Sequence, residues 1–424
     1  MDLNKQHLNS FEIALEISRH FFFKILKMSK KLVLAFSGGL DTSFCVKYLK
    51  EEKGFDVYTA IANTGGFSED ELKEIEERAY KLGAKKHVAL DVTNEYYEKC
   101  IRYMVFGNIL RNNTYPISVS SERVFQAIAT IEYAKEIGAG YIAHGSTAAG
   151  NDQIRFDLTF QVLAPDIEII TPTRDLLLSR QDEINYLKKY DFGADFSKME
   201  YSINQGLWGT SVGGKETLTS NKGLPNEAYP SQLETKEEKL IELGFEKGEL
   251  IALDGEFFES GPEVIQKLNE IASKYAIGRD IHVGDTIIGI KGRVGFEAAA
   301  PLITIKAHQL LEKHTLTKWQ MYWKEQLGNW YGMFLHEALY QEPVMRNMEV
   351  FLESTQENVT GKVFVKLKPY HFELEGIESE HDLMNSEFAE YGETVKAWTA
   401  DDVKGFTKIM SNSLKIYNSV NKNI

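Results

Sequence analysis

The sequence predicts an α/β protein, with a largely parallel first sheet followed by an α+β domain and a terminal helix. Two observations carry that prediction. Between Lys31 and Ile170, short apolar runs alternate with helical stretches. This is the pattern of strands joined by crossovers that cover both faces of a parallel sheet. The alternation stops near Tyr190, and a Gly- and Ser-rich stretch from Tyr201 to Pro230 follows, too long and irregular for a routine connector. The expected divisions are an N-terminal extension at 1–28, a first domain at 29–192, a second at 193–396 and a C-terminal helix at 397–424.

Leu32 to Phe36 is a short apolar run ended by Ser37-Gly38-Gly39, which reads as a buried strand meeting a tight loop. A helix is expected from Thr42 to Glu51 and a second strand from Val57 to Ala62. The next helix opens at Ser68, with Glu71 three residues on as its capping box. His87 to Leu90, Tyr141 to Ala143 and Ile167 to Ile170 read as three more strands. In the second domain, strand-like pieces fall at Leu250 to Leu253, Thr286 to Ile290 and Val363 to Leu367. Thr399 and Asp402 then cap a helix whose Val403, Phe406, Met410, Leu414 and Tyr417 share one face. Such a stripe is expected to pack on its parent domain or, less commonly, to dock on another subunit.

Composition narrows the class. In 424 residues, 62 acids against 48 bases leave a formal charge of −14. That balance argues against nucleic acid as a partner, because phosphate neutralisation needs clustered Lys and Arg. No apolar run reaches the ~18 residues of a membrane span. Cys45 and Cys100 alone supply neither a disulfide framework nor a four-cysteine zinc site, so a reduced, cytoplasmic protein is expected. Phe11 to Lys27, with Phe21-Phe22-Phe23, superficially suggests a signal peptide. Glu12, Glu16 and Arg19 interrupt it, and no small-residue cleavage pattern follows. An appended amphipathic helix, or a start placed upstream of Met28, is the expectation.

The strongest chemical signal is Ser37-Gly38-Gly39-Leu40-Asp41-Thr42-Ser43, between strand and helix. Two glycines let the backbone approach a phosphate, and the helix adds its positive end. Ser37, Thr42 and Ser43 offer hydroxyls, and Asp41 can meet a magnesium-bound oxygen. The plainer alternative makes Asp41 a helix N-cap worth ~1 kcal/mol. A second segment, His144 to Phe156, follows the strand Tyr141 to Ala143, so it belongs at the carboxyl edge where open sheets bind ligands. Asn151, Asp152 and Arg155 offer an amide, a carboxylate and a planar fork. The alternative is an exposed Asp152–Arg155 pair, worth little. Gly209, Gly214 and Lys215 mimic a phosphate loop, but Glu216 stands where that loop needs a hydroxyl.

The loop at Ser37 resembles the pyrophosphate signature of the N-type ATP pyrophosphatases. That loop, His144 to Phe156, Tyr201-Ser202 to Ser211-Val212-Gly213-Gly214, and Ile288 to Arg293 follow the order found in the argininosuccinate synthase family. The resemblance runs from about Lys30 to the final helix. It implies a Rossmann-like nucleotide-binding domain, a synthetase domain and a C-terminal oligomerisation helix in a homotetramer. It further implies ligation of citrulline and aspartate by ATP with Mg2+, through a citrullyl-adenylate, to argininosuccinate, AMP and pyrophosphate in arginine biosynthesis. Carried over by position, Ala35, Phe36, Ser37, Gly38, Gly39, Leu40, Asp41, Thr42, Ser43, Ala62 and Gly145 match ATP contacts. Thr147, Asn151 and Asp152 match aspartate contacts. Tyr115, Ser120, Asn151, Arg155, Ser202 and Ser211 match citrulline contacts, although Tyr115 can equally be packed and loop serines are often turn formers. No residue is assigned as acid or base.

The chain also departs from that family. Ala149 replaces a lysine, Val119 a hydroxyl residue, Gly284 a glutamate at the citrulline tail, and Phe296 a tyrosine. Gly284 is expected to leave a space, with the adjacent Asp285 as the substitute carboxylate and plain citrulline as substrate. The alternative is a citrulline acylated on its α-nitrogen. Two other functions stay open: another ligase of the ATP-pyrophosphatase group, and a nucleotide sensor without turnover. A transfer-RNA thiolase among those ligases fits poorly, since it needs paired cysteines and a basic surface.

Overall fold

A computed structural model describes residues 30–148, 150–192, 201–386, 388 and 397–421. The expected extension at 1–28 and the expectation on Ala149 lie outside them. Five parallel strands form the first sheet: β1 (Lys31–Ala35), β2 (Asp56–Asn63), β3 (Lys86–Asp91), β4 (Tyr141–Ala143) and β5 (Glu168–Ile170). Their order is β3-β2-β1-β4-β5. Leu32, Val33 and Leu34 are fully buried, as a central strand covered on both faces requires. The expected α/β class is observed. The Ser68–Glu71 capping box also forms, at the head of the helix Glu69–Leu82.

The order places the topological switch point at β1 and β4, so the loops after these two strands lie side by side. The sequence supplies both loops with glycine where the chain leaves the sheet.

Beyond residue 200, β6 (Ser202–Gly206) and β7 (Gly209–Gly213) make a hairpin. The hairpin continues into a four-stranded sheet, β11-β12-β7-β6, with β11 (Arg279–Asp285) and β12 (Lys291–Glu297). A second antiparallel sheet has the order β10-β9-β8-β13-β14, from β8 (Lys239–Glu246), β9 (Glu249–Leu253), β10 (Glu256–Phe257), β13 (Gly361–Lys368) and β14 (His371–Glu378). The strands expected at 250–253 and 363–367 are therefore present. Thr286 to Ile290 is not a strand. It is the turn between β11 and β12, closed by Thr286 N–H to the Ile290 carbonyl at 2.7 Å, with Gly289 at φ +84°. Its isoleucines are half exposed, so the apolar run there marks no buried strand. The mimic of a phosphate loop is simply β7 followed by a 3-10 turn at Lys215–Leu218.

The two parts share a core. Tyr115, Ile117 and Phe125 of the first part pack in one cluster with Trp208, Phe296 and the helix Ala299–Thr315 of the second. The hairpin tip fixes this junction: Trp208 Nε1–H donates to the Pro116 carbonyl at 3.0 Å, and Leu207 N–H to the Thr64 carbonyl at 3.1 Å.

The C-terminal helix starts with the expected box between Thr399 and Asp402. It breaks at Ser411 into Ala400–Met410 and Asn412–Asn421. Its stripe is open: Val403, Phe406, Met410, Leu414 and Tyr417 are 45–69% exposed. The expectation that this face packs on its own domain therefore fails in the single chain.

Candidate active site

The loop after β1 is built by backbone. Gly38 sits at φ +74°, a conformation that a side chain disfavours, and its carbonyl accepts from Arg78 at 2.6 Å. Gly39, not Asp41, is the N-cap of the helix Leu40–Glu51, and no side chain caps it. The first-turn N–H groups therefore have no side chain to satisfy them, which suits them to an anion. Ser37 and Thr42 hydroxyls lie 3.3 Å apart, and the Ser43 hydroxyl is buried without a partner. Asp41, in the first helical turn, is hydrogen-bonded to Glu183. Burial, and then the Asp41 charge, push the Glu183 carboxyl well above its ordinary range. Thr173 donates to Glu183 at 3.0 Å.

Gly145 brings the second loop onto the first. A Cβ there would lie 3.1 Å from the Thr42 nitrogen, tighter than an ordinary contact, so glycine eases the approach. His144 braces the loop. Its Nδ1 accepts from Ser146 N–H at 3.2 Å, so Nε2 carries the hydrogen that reaches Asp157 at 2.9 Å. Arg174 holds the other Asp157 oxygen at 2.6 Å. Thr147 is left exposed at the loop tip, and Ala62, one residue before the end of β2, is buried.

Asp152 opens the helix Asp152–Leu163 and is gripped from two sides, by Arg123 at 2.9 Å and Arg155 at 2.7 Å. Burial alone would raise its carboxyl, but the Arg123 and Arg155 charges outweigh this and hold it at about 2. Arg123 also reaches Asn204 at 3.0 Å, and Asn204 donates to Ser211 at 3.4 Å. Arg155 is buried, and its Nε and Nη2 donate to the His336 carbonyl at 3.2 and 3.1 Å. The pair is thus no exposed decoration. Asn151 Oδ1 accepts from Ile287 N–H at 2.9 Å, tying the second loop to the β11–β12 turn.

Tyr115 is buried, and its hydroxyl accepts from Ser118 at 3.3 Å and from Val119 N–H at 3.2 Å. Between them Ile117 adopts φ 57°, an outlier for a β-branched residue, with a cost of about 1–3 kcal/mol. Ser120 lies buried one turn into the following helix, Ser118–Glu136. Ser211 is paired with Phe296 on the neighbouring strand, and Ser202 stands exposed on β6 opposite Gly213. Asp285 is exposed and ion-paired to Lys291 at 2.6 Å. Among the described residues, no group of three His, Cys, Asp or Glu is placed to hold a metal ion, and no helix is long and apolar enough to cross a membrane.

Comparison with known proteins matches residues 31–192 to the arginosuccinate synthase N-terminal HUP domain and residues 201–417 to the arginosuccinate synthase C-terminal domain. The argininosuccinate synthase of Methanocaldococcus jannaschii is 37% identical, over 86% of this chain and 93% of its own length. That of Xanthomonas campestris is 35% identical, over 93% of this chain and 100% of its own. That of Pyrococcus furiosus is 36% identical, over 92% and 94%. The chain belongs to the argininosuccinate synthase family. It is a ligase of that family.

In this chain, the sequence pointed to loops and missed their supports. Arg123 and Glu183 act on Asp152 and Asp41 from distant helices. Glu122 is also unforeseen: it is fully buried, neither of its oxygens has a hydrogen-bond partner, and burial pushes it up to about 8. Arg123 and Glu122 both lie on the helix Ser118–Glu136, but nothing in their spacing says which way they point.

Proposed function

We propose that this chain joins citrulline to aspartate with ATP, through a citrullyl-adenylate, releasing pyrophosphate and then AMP. The observation that carries the reading is the apposition of the glycine loop at 37–43 and Gly145 in a chain of this family. A ureido oxygen is a weak nucleophile, so rate must come from holding it in line with the α-phosphate while the leaving charge is stabilised. The hydroxyls of Ser37, Thr42 and Ser43 and the helix start serve the departing pyrophosphate. Mg2+ arrives on the nucleotide, with Asp41 as its carboxylate. Phe36 and Ala62 flank the nucleoside. Thr147, Asn151 and Asp152 orient aspartate, whose amine attacks the activated ureido carbon as AMP leaves. A phosphate oxygen can take the amine proton, so no protein base is required. Tyr115, Ser120, Asn151, Arg155, Ser202 and Ser211 line the ureido acid's path.

The test is pyrophosphate release, with AMP formed in equal amount, that requires a ureido acid and aspartate together. Sustained release without aspartate, beyond the single equivalent that adenylate formation gives, or none at all, overturns the reading. The open apolar stripe of the C-terminal helix supports docking on further copies of the chain; the homotetramer is the assembly that the family resemblance implies. Phe406→Asp is then expected to lower the assembly mass in sedimentation velocity; an unchanged mass argues against that interface.

A further inference from the structure

The ureido-acid end of the site is ringed by unused donors. Arg111 is tied to Tyr115 by paired backbone hydrogen bonds of 2.8 and 3.1 Å, and its Nε is buried without a partner. His282 is buried and stacks on Tyr115 with ring centres 5.2 Å apart; its Nδ1 also lacks a partner. His336, whose carbonyl holds Arg155, has a third such nitrogen. Burial, then the charges of Arg155 and Arg111, keep His336 neutral, down at about 2; burial and Arg111 also push His282 below its ordinary value. The field here is positive.

The expected space at Gly284 does not exist. A Cβ there would stand 2.6 Å from His282 Nε2, so the imidazole already occupies it. Nor does Asp285 fill the place of a tail carboxylate. It falls on the opposite face of β11 from His282 and Gly284 by strand alternation, and Lys291 holds it. Asp152 is taken by two arginines. Glu337 is the carboxylate that remains in the field of Arg111. An α-ammonium group placed here would face cations; an added carboxylate would meet them.

We propose that the substrate is a citrulline whose α-nitrogen carries an acyl group ending in a carboxylate, a dicarboxylic half-amide such as N-succinylcitrulline, with Arg111 binding the added carboxylate and His282 donating beside it. This rests on the ligation reading above and changes only the end of the substrate remote from the ureido oxygen. Acylation removes the α-ammonium charge, and the distal carboxylate supplies the charge-assisted partner that Arg111 lacks.

The experiment compares kcat/KM for pyrophosphate release with citrulline, N-acetylcitrulline and N-succinylcitrulline, at saturating ATP and aspartate. N-succinylcitrulline is expected to lead citrulline by about a hundredfold or more, with N-acetylcitrulline between them. Arg111→Gln should raise KM for the succinyl substrate toward the acetyl level and so collapse the succinyl-over-acetyl ratio, while Arg111→Lys restores part of the preference. Citrulline as the best substrate overturns the proposal, most directly if Glu337→Gln then raises the citrulline KM. An acetyl substrate as good as the succinyl one overturns it too, as does a succinyl preference that survives Arg111→Gln. Failure of all three substrates in folded enzyme removes the ligation reading itself, and the proposal with it.

Discussion

The two ends of this site are made by different means. At the nucleotide end, seven consecutive residues set the geometry: two glycines shape the backbone, a helix starts, and hydroxyls line the rim. At the ureido-acid end, Arg111, Tyr115, Arg155, His282, Phe296 and His336 arrive from separate elements and meet only in the folded core. A site assembled from backbone keeps its chemistry whatever surrounds it. A site assembled from distant side chains changes its preference with one substitution. On the ligation proposed above, this difference puts the reaction at the first end and the choice of substrate at the second.

The sharpest break of the comparison is at Asp41. Asp41→Asn is expected to lower pyrophosphate release by about a hundredfold or more. The melting temperature should move by only ~2 °C or less, because Gly39 is the cap and Asn can still bond to Glu183. Steady-state release and a thermal melt check both; near-normal turnover would take Asp41 out of the reaction.

Asp152→Asn, at the second end, should act on both fold and substrate. Arg123 and Arg155 lose their shared counter-charge, so kcat/KM for the ureido acid should fall about tenfold or more, and stability by about 1–3 kcal/mol. The carboxyl is held at about 2, below its ordinary 3.8. Its stabilisation is present above the ordinary value and lost as pH falls through the folded one. Urea midpoints should therefore fall further for the wild type than for the variant between pH 5 and pH 2.

The smallest effect is expected at Glu122. Its carboxyl is raised from 4.5 to about 8 by burial, so the folded chain keeps a proton that the unfolded chain has lost. Stability should then fall as pH rises from about 4.5 to 8. Glu122→Gln removes that slope and should gain about 1–2 kcal/mol on the wild type at pH 8, read from urea midpoints. Parallel pH profiles would show that Glu122 is ionised in the fold.

How much was legible follows the same divide. Strand alternation, the Ser68 capping box and the Thr399 cap are local, and each appears where the sequence put it. The glycine loops were legible because glycine between strand and helix has few other uses. The β11–β12 turn was misread because Ile287, Ile288 and Ile290 carry strand-like side chains while Gly289 turns the backbone. Asp41 was read as a possible cap, although the backbone enters the helix two residues earlier. The Asp152 clamp, Glu183 and the donors around Tyr115 depend on contacts between residues far apart in the chain, and no local pattern encodes them. Gly284 announced a vacancy that His282, two residues away on the same face, fills.

The indole of Trp208, locked to the Pro116 carbonyl, also sets a timetable. A chain leaving the ribosome N-terminus first completes the five-stranded sheet once Ile170 has emerged, while the hairpin tip is still unmade. Phe296 comes much later; at about 5–20 residues per second the interval is on the order of ten seconds. Until Trp208 emerges, Tyr115, Ile117 and Phe125 have no indole from the second half to cover them, and until Phe296 emerges they have no phenyl ring. The nascent chain therefore presents an apolar surface suited to a chaperone at the place proposed for the ureido acid, and that surface is covered only when β12 has been translated.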